Sequence, residues 1–245
     1  MDGALLQISV FLAATFVAAL VAGVTGFAFA LIAAAAWLHV LTPIETATLT
    51  VSYGLIVQGY GAWKLRHAFD WSRVWPFVLG GAPGATLGAL VLRWANPAHM
   101  RMGIAAFLVL YSVYSLTRPE LKPVRAGIAA DAAVGFLGGL LGGMAGFPGI
   151  VVVIWCGLRG WTKDEQRAVF QPVAVALLAM SGMALAGTGS ISRHTVELFL
   201  TGLPALAAGT LAGFALYGRL DEATFRKAVL MLLLASGLIL LLSVW

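Results

Sequence analysis

Charge is what this chain has least of. Only 10% of its 245 residues are charged, where a soluble domain carries about a quarter. With 61% hydrophobic residues and a mean hydropathy of +0.95, a globule of this composition could not cover its surface with polar groups, so lipid is its natural solvent. Cysteine is nearly missing too. The single Cys156 lies in an apolar run, which excludes an intrachain disulfide and any multi-cysteine metal site. No HExxH motif, no His/Cys cluster and no serine with a nearby basic partner occurs. Hence no catalytic residue, metal or cofactor is expected. Before the first apolar stretch stands only Met1-Asp2-Gly3, without a basic n-region, so that stretch is expected to be retained as a membrane segment. The net charge of +5 is not a nucleic-acid signal, because basic residues in such a chain gather in short loops and set orientation.

What is present is a series of apolar runs. Ten are read, at about 5–22, 27–41, 45–63, 74–92 and 98–117, then 126–142, 147–158, 167–187, 194–217 and 223–244. A spanning helix needs about 20 residues, and segments three, four, five, eight, nine and ten reach that length. Segments two and seven extend only about 23 Å and about 18 Å at 1.5 Å per residue, and each follows a glycine-rich break.

The halves 1–122 and 123–245 repeat. A shift of 120 residues brings Gly23, Gly26 and Phe27 onto Gly143, Gly146 and Phe147, and Thr42 and Glu45 onto Thr162 and Glu165. A shift of 125 brings Gly84 and Gly88 onto Gly209 and Gly213. Five segments per half is an odd number, so the second half enters from the opposite side, the inverted-repeat plan of many secondary transporters. The expected fold is therefore an all-α polytopic bundle of two inverted five-segment repeats, with hairpins 1–2 and 6–7 either spanning or re-entrant. The charges agree: twelve of the fifteen Lys and Arg fall in alternate loops on one side, leaving Arg93, Arg101 and Arg193 on the other. The positive-inside rule makes the richer side cytoplasmic and places both termini outside.

The breaks, Gly23–Phe27 and Gly138–Gly149, are the candidate site. Irregular backbone at membrane depth is tolerated only where it is buried in protein or lines a wet cavity. Pro148 suits the first turn of a helix; a helix N-terminus carries roughly half a positive charge and readily meets an anion. No well-buried arginine or lysine is evident, so dipoles and N–H groups would have to meet the charge. Candidate substrate contacts are Gly23, Thr25, Gly26 and Phe27 with Gly143, Gly146, Phe147, Pro148 and Gly149, placed near the midplane. Gln58 and Gln171, inside segments three and eight, serve either as substrate contacts or as interhelical glue. The competing reading of the glycines is packing, since small residues four apart let helices approach closely; for Gly80, Gly84, Gly88, Gly209 and Gly213 it is the preferred one.

Other polar residues have structural readings. Thr42-x-x-Glu45 and Thr162-x-x-Glu165 are capping boxes, Asn96-Pro97 and Asp221-Glu222 open helices, and the Trp residues sit largely near segment ends as a belt. Asp131, about 9 Å into segment six, is either a coupling (proton) site, the default for an intramembrane acid, or an interfacial acid with a loop arginine.

In these breaks the sequence resembles the sulfite exporter TauE/SafE family of membrane proteins. The resemblance rests on Gly23-x-x-Gly26-Phe27, on the run Gly135-Phe-x-Gly138-Gly139-x-x-Gly142-Gly143-x-x-Gly146-x-Pro148-Gly149, on the glycine-spaced fourth segments and on the length. Ala28 stands where Pro148 stands in the second half, so the helix-start argument is weaker there. The resemblance implies transport of small sulfur-containing anions such as sulfite or organosulfonates. The expected function is thus a secondary transporter of such an anion in the bacterial inner (plasma) membrane. Its partners would be the anion and the lipid bilayer, with homo-oligomerisation left open. An anion channel, and less well an intramembrane enzyme, are the alternatives.

Overall fold

The computed structural model describes residues 2–25, 28–117, 123–189, 191–216 and, of the last stretch, 230–231, 233–235, 237–239 and 241–242. Every long element among them is helical. In order these are α1 (Asp2–Thr25), α2 (Phe29–Trp37), α3 (Pro43–Leu65), α4 (Trp71–Trp94), α5 (Pro97–Thr117), α6 (Ile128–Ala145), α7 (Pro148–Leu158), α8 (Lys163–Gly187) and α9 (Arg193–Leu216). Segment ten is helical where it is described; Asp221-Glu222, its expected start, lies outside the described residues. Among the described residues six helices are long and apolar enough to cross a membrane, so the chain is a polytopic α-helical membrane protein. α3 is as long, but Thr46, Thr48, Thr50, Ser52 and Gln58 make it more polar. α2 and α7 have 9 and 11 residues, too few to span.

The helix starts are capped as their sequences require. Glu45 Oε2 accepts from the backbone N–H (2.9 Å) and hydroxyl (2.8 Å) of Thr42. Glu165 Oε2 does the same with Thr162, at 2.9 and 3.0 Å. Asn96 Oδ1 accepts from the N–H of Ala98 at 2.8 Å.

Two compact units form, each drawing helices from both halves of the chain. One comprises residues 1–46, 95–119 and 193–245; the other comprises 47–94 and 120–192. In the second unit α4 and α6 interlock through glycine. A β-carbon at Gly80, Gly84 or Gly88 would fall on the carbonyl oxygen of Ala132, Phe136 or Leu140, and one at Gly135, Gly139 or Gly143 on that of Phe77, Gly81 or Ala85. Backbone meets backbone there, which is how apolar helices gain packing without a hydrophobic driving force. Beside the seam, Val74, Phe77, Val134, Val152, Cys156, Val169, Val173 and Leu177 form the core shared by α4, α6, α7 and α8.

The first unit repeats the device between α1 and α9. A β-carbon at Gly209 or Gly213 would fall on the carbonyl oxygen of Phe16 or Leu20. These are the residues that the 125- and 120-residue shifts pair with Gly84, Gly88, Phe136 and Leu140. Trp37 departs from the belt reading: it is fully buried among the first unit's helices, its ring tilted against that of Phe11 and its Nε1 3.4 Å from the Phe11 carbonyl.

Candidate functional site

The expected breaks are narrower than the glycine pattern suggests. α1 stays helical through Thr25 and α6 through Ala145, because Gly23, Gly139 and Gly143 are packing residues of continuous helices. Gly23 lies against the backbone of Gly213, 2.8 Å from a β-carbon placed on it, and Gly143 against Ala85. The Thr25 side chain, Gly26 and Phe27 lie outside the described residues.

In the second unit the break contracts to one turn. Gly146 adopts the left-handed conformation, with φ 75° and ψ 25°, which glycine enters without the β-carbon penalty. Its N–H donates to Gly142 O at 2.9 Å, and that of Phe147 to Leu141 O at 3.2 Å. Pro148 then occupies the first turn of α7. Ala145, Gly146, Phe147 and Pro148 are all buried, so an irregular turn followed by a helix N-terminus is enclosed within the unit.

Residues from α3 and α8 line this turn. A β-carbon on Gly146 would lie 2.7 Å from Thr50 Cβ and 3.3 Å from Ala47 O, and one on Gly149 2.6 Å from Phe170 Cε2. A β-carbon on Gly142 would lie 2.8 Å from Ser181 Oγ and 3.0 Å from Pro148 Cβ. Ser181 is wholly buried and its hydroxyl has no partner. Neither Thr50 nor Ser181 stood out in the sequence, since hydroxyls inside apolar helices commonly serve packing alone.

Gln58 and Gln171 are both buried. The Gln171 amide lies 2.8 Å from the β-carbon position of Gly61, one turn beyond Gln58, and its Oε1 has no partner.

Asp131 is placed differently from the expected depth. It lies in the first turn of α6, since the helix begins at Ile128. There Oδ1 accepts from Trp155 Nε1 at 2.7 Å and meets Arg159 Nη1 at 3.3 Å. Arg159 Nη1 also donates to Ala126 O at 2.7 Å, and its guanidinium stands over the rings of Trp155 and Trp161. Arg159 is thus half-buried, with Asp131 and a carbonyl already occupying it. In the first unit Arg101 Nη2 donates to Leu41 O at 3.2 Å, while its Nε is enclosed without a partner. Among the described residues no group of His, Cys, Asp and Glu could hold a metal ion.

Among the described residues, six spanning-length helices, two under-length ones and an enclosed turn at a helix start define a polytopic membrane protein. The family model for the sulfite exporter TauE/SafE matches residues 11–240; the chain belongs to that family. It is similar to the "Probable membrane transporter protein y4hK" of Sinorhizobium fredii (strain NBRC 101917 / NGR234), 27% identical over 212 residues covering 82% of this chain and 84% of the relative. It is also similar to the "Probable inner membrane transporter protein TsaS" of Comamonas testosteroni, 30% identical over 169 residues covering 66% and 70%. No solved structure matches it. Family and relatives alike are named as transporters.

Proposed function

We propose that this chain is a secondary transporter of a small sulfur-containing or organic oxyanion, of the sulfite or organosulfonate class, working by alternating access in the bacterial inner membrane. The observation that carries this is the enclosed turn Gly146–Phe147 opening α7, in a chain of a transporter family. The first turn of α7, from Pro148 through Gly149, offers the anion the positive end of a helix. Such an end is worth about 0.3–1 kcal/mol to a charge, up to ~2 when partly buried. Hydrogen bonds to a charged group add about 1.5–3 kcal/mol each. These terms offset part of the dehydration, so affinity is modest, as suits a carrier that releases its cargo. Gly26 and Phe27 carry the counterpart reading in the first half of the chain.

Counterflow tests the proposal. In proteoliposomes preloaded with unlabelled sulfite or sulfoacetate, a carrier accelerates entry of the labelled anion. Equal entry with and without preloading would mark a channel, and no entry of either anion would refute the substrate class.

A further inference from the structure

We infer that the Ser181 hydroxyl is a ligand of the transported oxyanion, donating a hydrogen bond to it beside the α6–α7 turn; the inference rests on the reading of that turn as the binding site. Its basis is a buried helix hydroxyl that does not make the local bond that several others here make. The buried Thr15 and Ser112 donate to the carbonyl four residues back, at 2.6 and 2.7 Å. Ser52, Thr86 and Thr201 do the same at 2.8, 3.2 and 2.8 Å. That local bond is the standard resting place of a hydroxyl in a helix. Ser181, with 0% exposure, does not make it, and its Oγ has no partner at all.

The oxygen is turned instead toward the start of α7. It lies 2.8 Å from the point where a β-carbon of Gly142 would stand, and Pro148 Cβ lies 3.0 Å from the same point. Glycine at 142 leaves that point open, so the hydroxyl borders the helix start with no β-carbon between them. Other enclosed polar atoms lack partners, among them Gln171 Oε1, Thr48 Oγ1 and Thr210 Oγ1; Ser181 Oγ is set apart by its approach to Gly142 beside Pro148.

A buried donor without a partner is unfavourable, and alanine would fill the place without that cost. An oxyanion at the mouth of α7 supplies the acceptor. A hydroxyl rotates to suit its acceptor and leaves no opposite charge behind when the anion departs, so it favours binding without trapping the cargo.

The test combines affinity with hydrogen exchange on the purified full-length protein, using sodium sulfite and sulfoacetate as probes. Exchange of the amides at 149–152 is expected to slow with probe. Ser181→Ala, which deletes an unpartnered group, is expected to melt no lower than the parent and to bind about ten- to a hundredfold more weakly. Ser181→Cys, of similar size but a weaker donor, is expected to fall between. If Ser181→Ala binds within about twofold of the parent while the probe still protects the start of α7, the inference fails and the site reading stands. Protection elsewhere, for instance around Arg101, or binding of neither probe, overturns the site reading and this inference with it.

Discussion

Asp131 in the first turn of α6 and Arg159 just past the end of α7 meet at 3.3 Å, 28 residues apart in the chain, with Trp155 donating to the same carboxylate oxygen. Their side chains are 11% and 19% exposed. Removing one partner of such a pair leaves the other charge poorly solvated. Asp131→Asn and Arg159→Gln are each expected to cost about 1–3 kcal/mol, below the fully buried range because water still reaches the pair. The double variant should lose less than the sum, as measured by melting in detergent. If the ion pair is the whole role of Asp131, pH-dependent uptake should survive in folded Asp131→Asn. A flat pH profile in that variant would restore Asp131 as the coupling acid.

A second expectation concerns acid stability. Glu165 accepts from the Thr162 N–H and hydroxyl and faces Arg73 Nη1 at 3.3 Å. The Thr162 backbone bond first, then its hydroxyl and Arg73, hold the carboxyl below its ordinary 4.5. A depressed folded-state pKa gives stability that is whole above 4.5 and lost as pH falls through the folded value. Glu165→Gln preserves the box geometry but cannot titrate. The slope of melting temperature against pH below 4.5 should therefore be shallower in Glu165→Gln. Identical slopes would mean that the carboxylate adds nothing.

The charge distribution predicts orientation. A cysteine at Ser192 should react with an impermeant maleimide on intact cells. One at Lys122 should react only after permeabilisation, in both cases with Cys156 replaced by alanine. External labelling at Lys122 would reverse the topology.

Most helices were legible because their apolar runs end at a charge, a proline or a capping box: Thr42 and Thr162 open α3 and α8 where the box pattern requires. Residues paired by the 120- and 125-residue shifts make like contacts, Gly84 on Phe136 and Gly209 on Phe16. The extent of the breaks was not legible. Glycine spaced by four reads alike whether it loosens a helix or seats it on a neighbour, and only the partner backbone at Ala85 or Gly213 decides. Asp131–Arg159 and Ser181–Gly142 are contacts between distant stretches, which no local pattern encodes.

Spacing alone would treat Gly88→Ala as mild, but its β-carbon would fall on Leu140 O and drive α4 from α6. Gly59 and Gly103, also within helices, have nothing within 4 Å of a β-carbon. Gly88→Ala should lower the melting temperature clearly, while Gly59→Ala and Gly103→Ala should be neutral or gain up to about 1 kcal/mol of helix propensity. Equal effects at the three positions would deny that the seam is as tight as the carbonyl contacts imply.

Gly146 combines two constraints that a binding assay alone would confuse. At φ 75° a β-carbon meets its own backbone, a cost of roughly 1–2 kcal/mol, and here it also meets Thr50 Cβ at 2.7 Å. A bulky residue such as valine would unfold the turn whether or not an anion binds there, so loss of binding in Gly146→Val does not identify the site. The two costs separate by design. Asparagine tolerates the left-handed region better than alanine, so Gly146→Asn removes much of the backbone term and keeps the contact with Thr50. Thr50→Gly removes the contact and keeps the backbone term. In the Gly146→Ala background, Thr50→Gly should therefore recover part of the lost stability, although by itself it costs about 1 kcal/mol in α3. The measurement is a double-variant cycle of melting free energies. A coupling of about 1 kcal/mol or more between positions 50 and 146 is expected, and additivity within about 0.5 kcal/mol would show that α3 does not press on the turn. Anion affinity is then compared among variants of equal stability, where a remaining loss reports on the site rather than the fold.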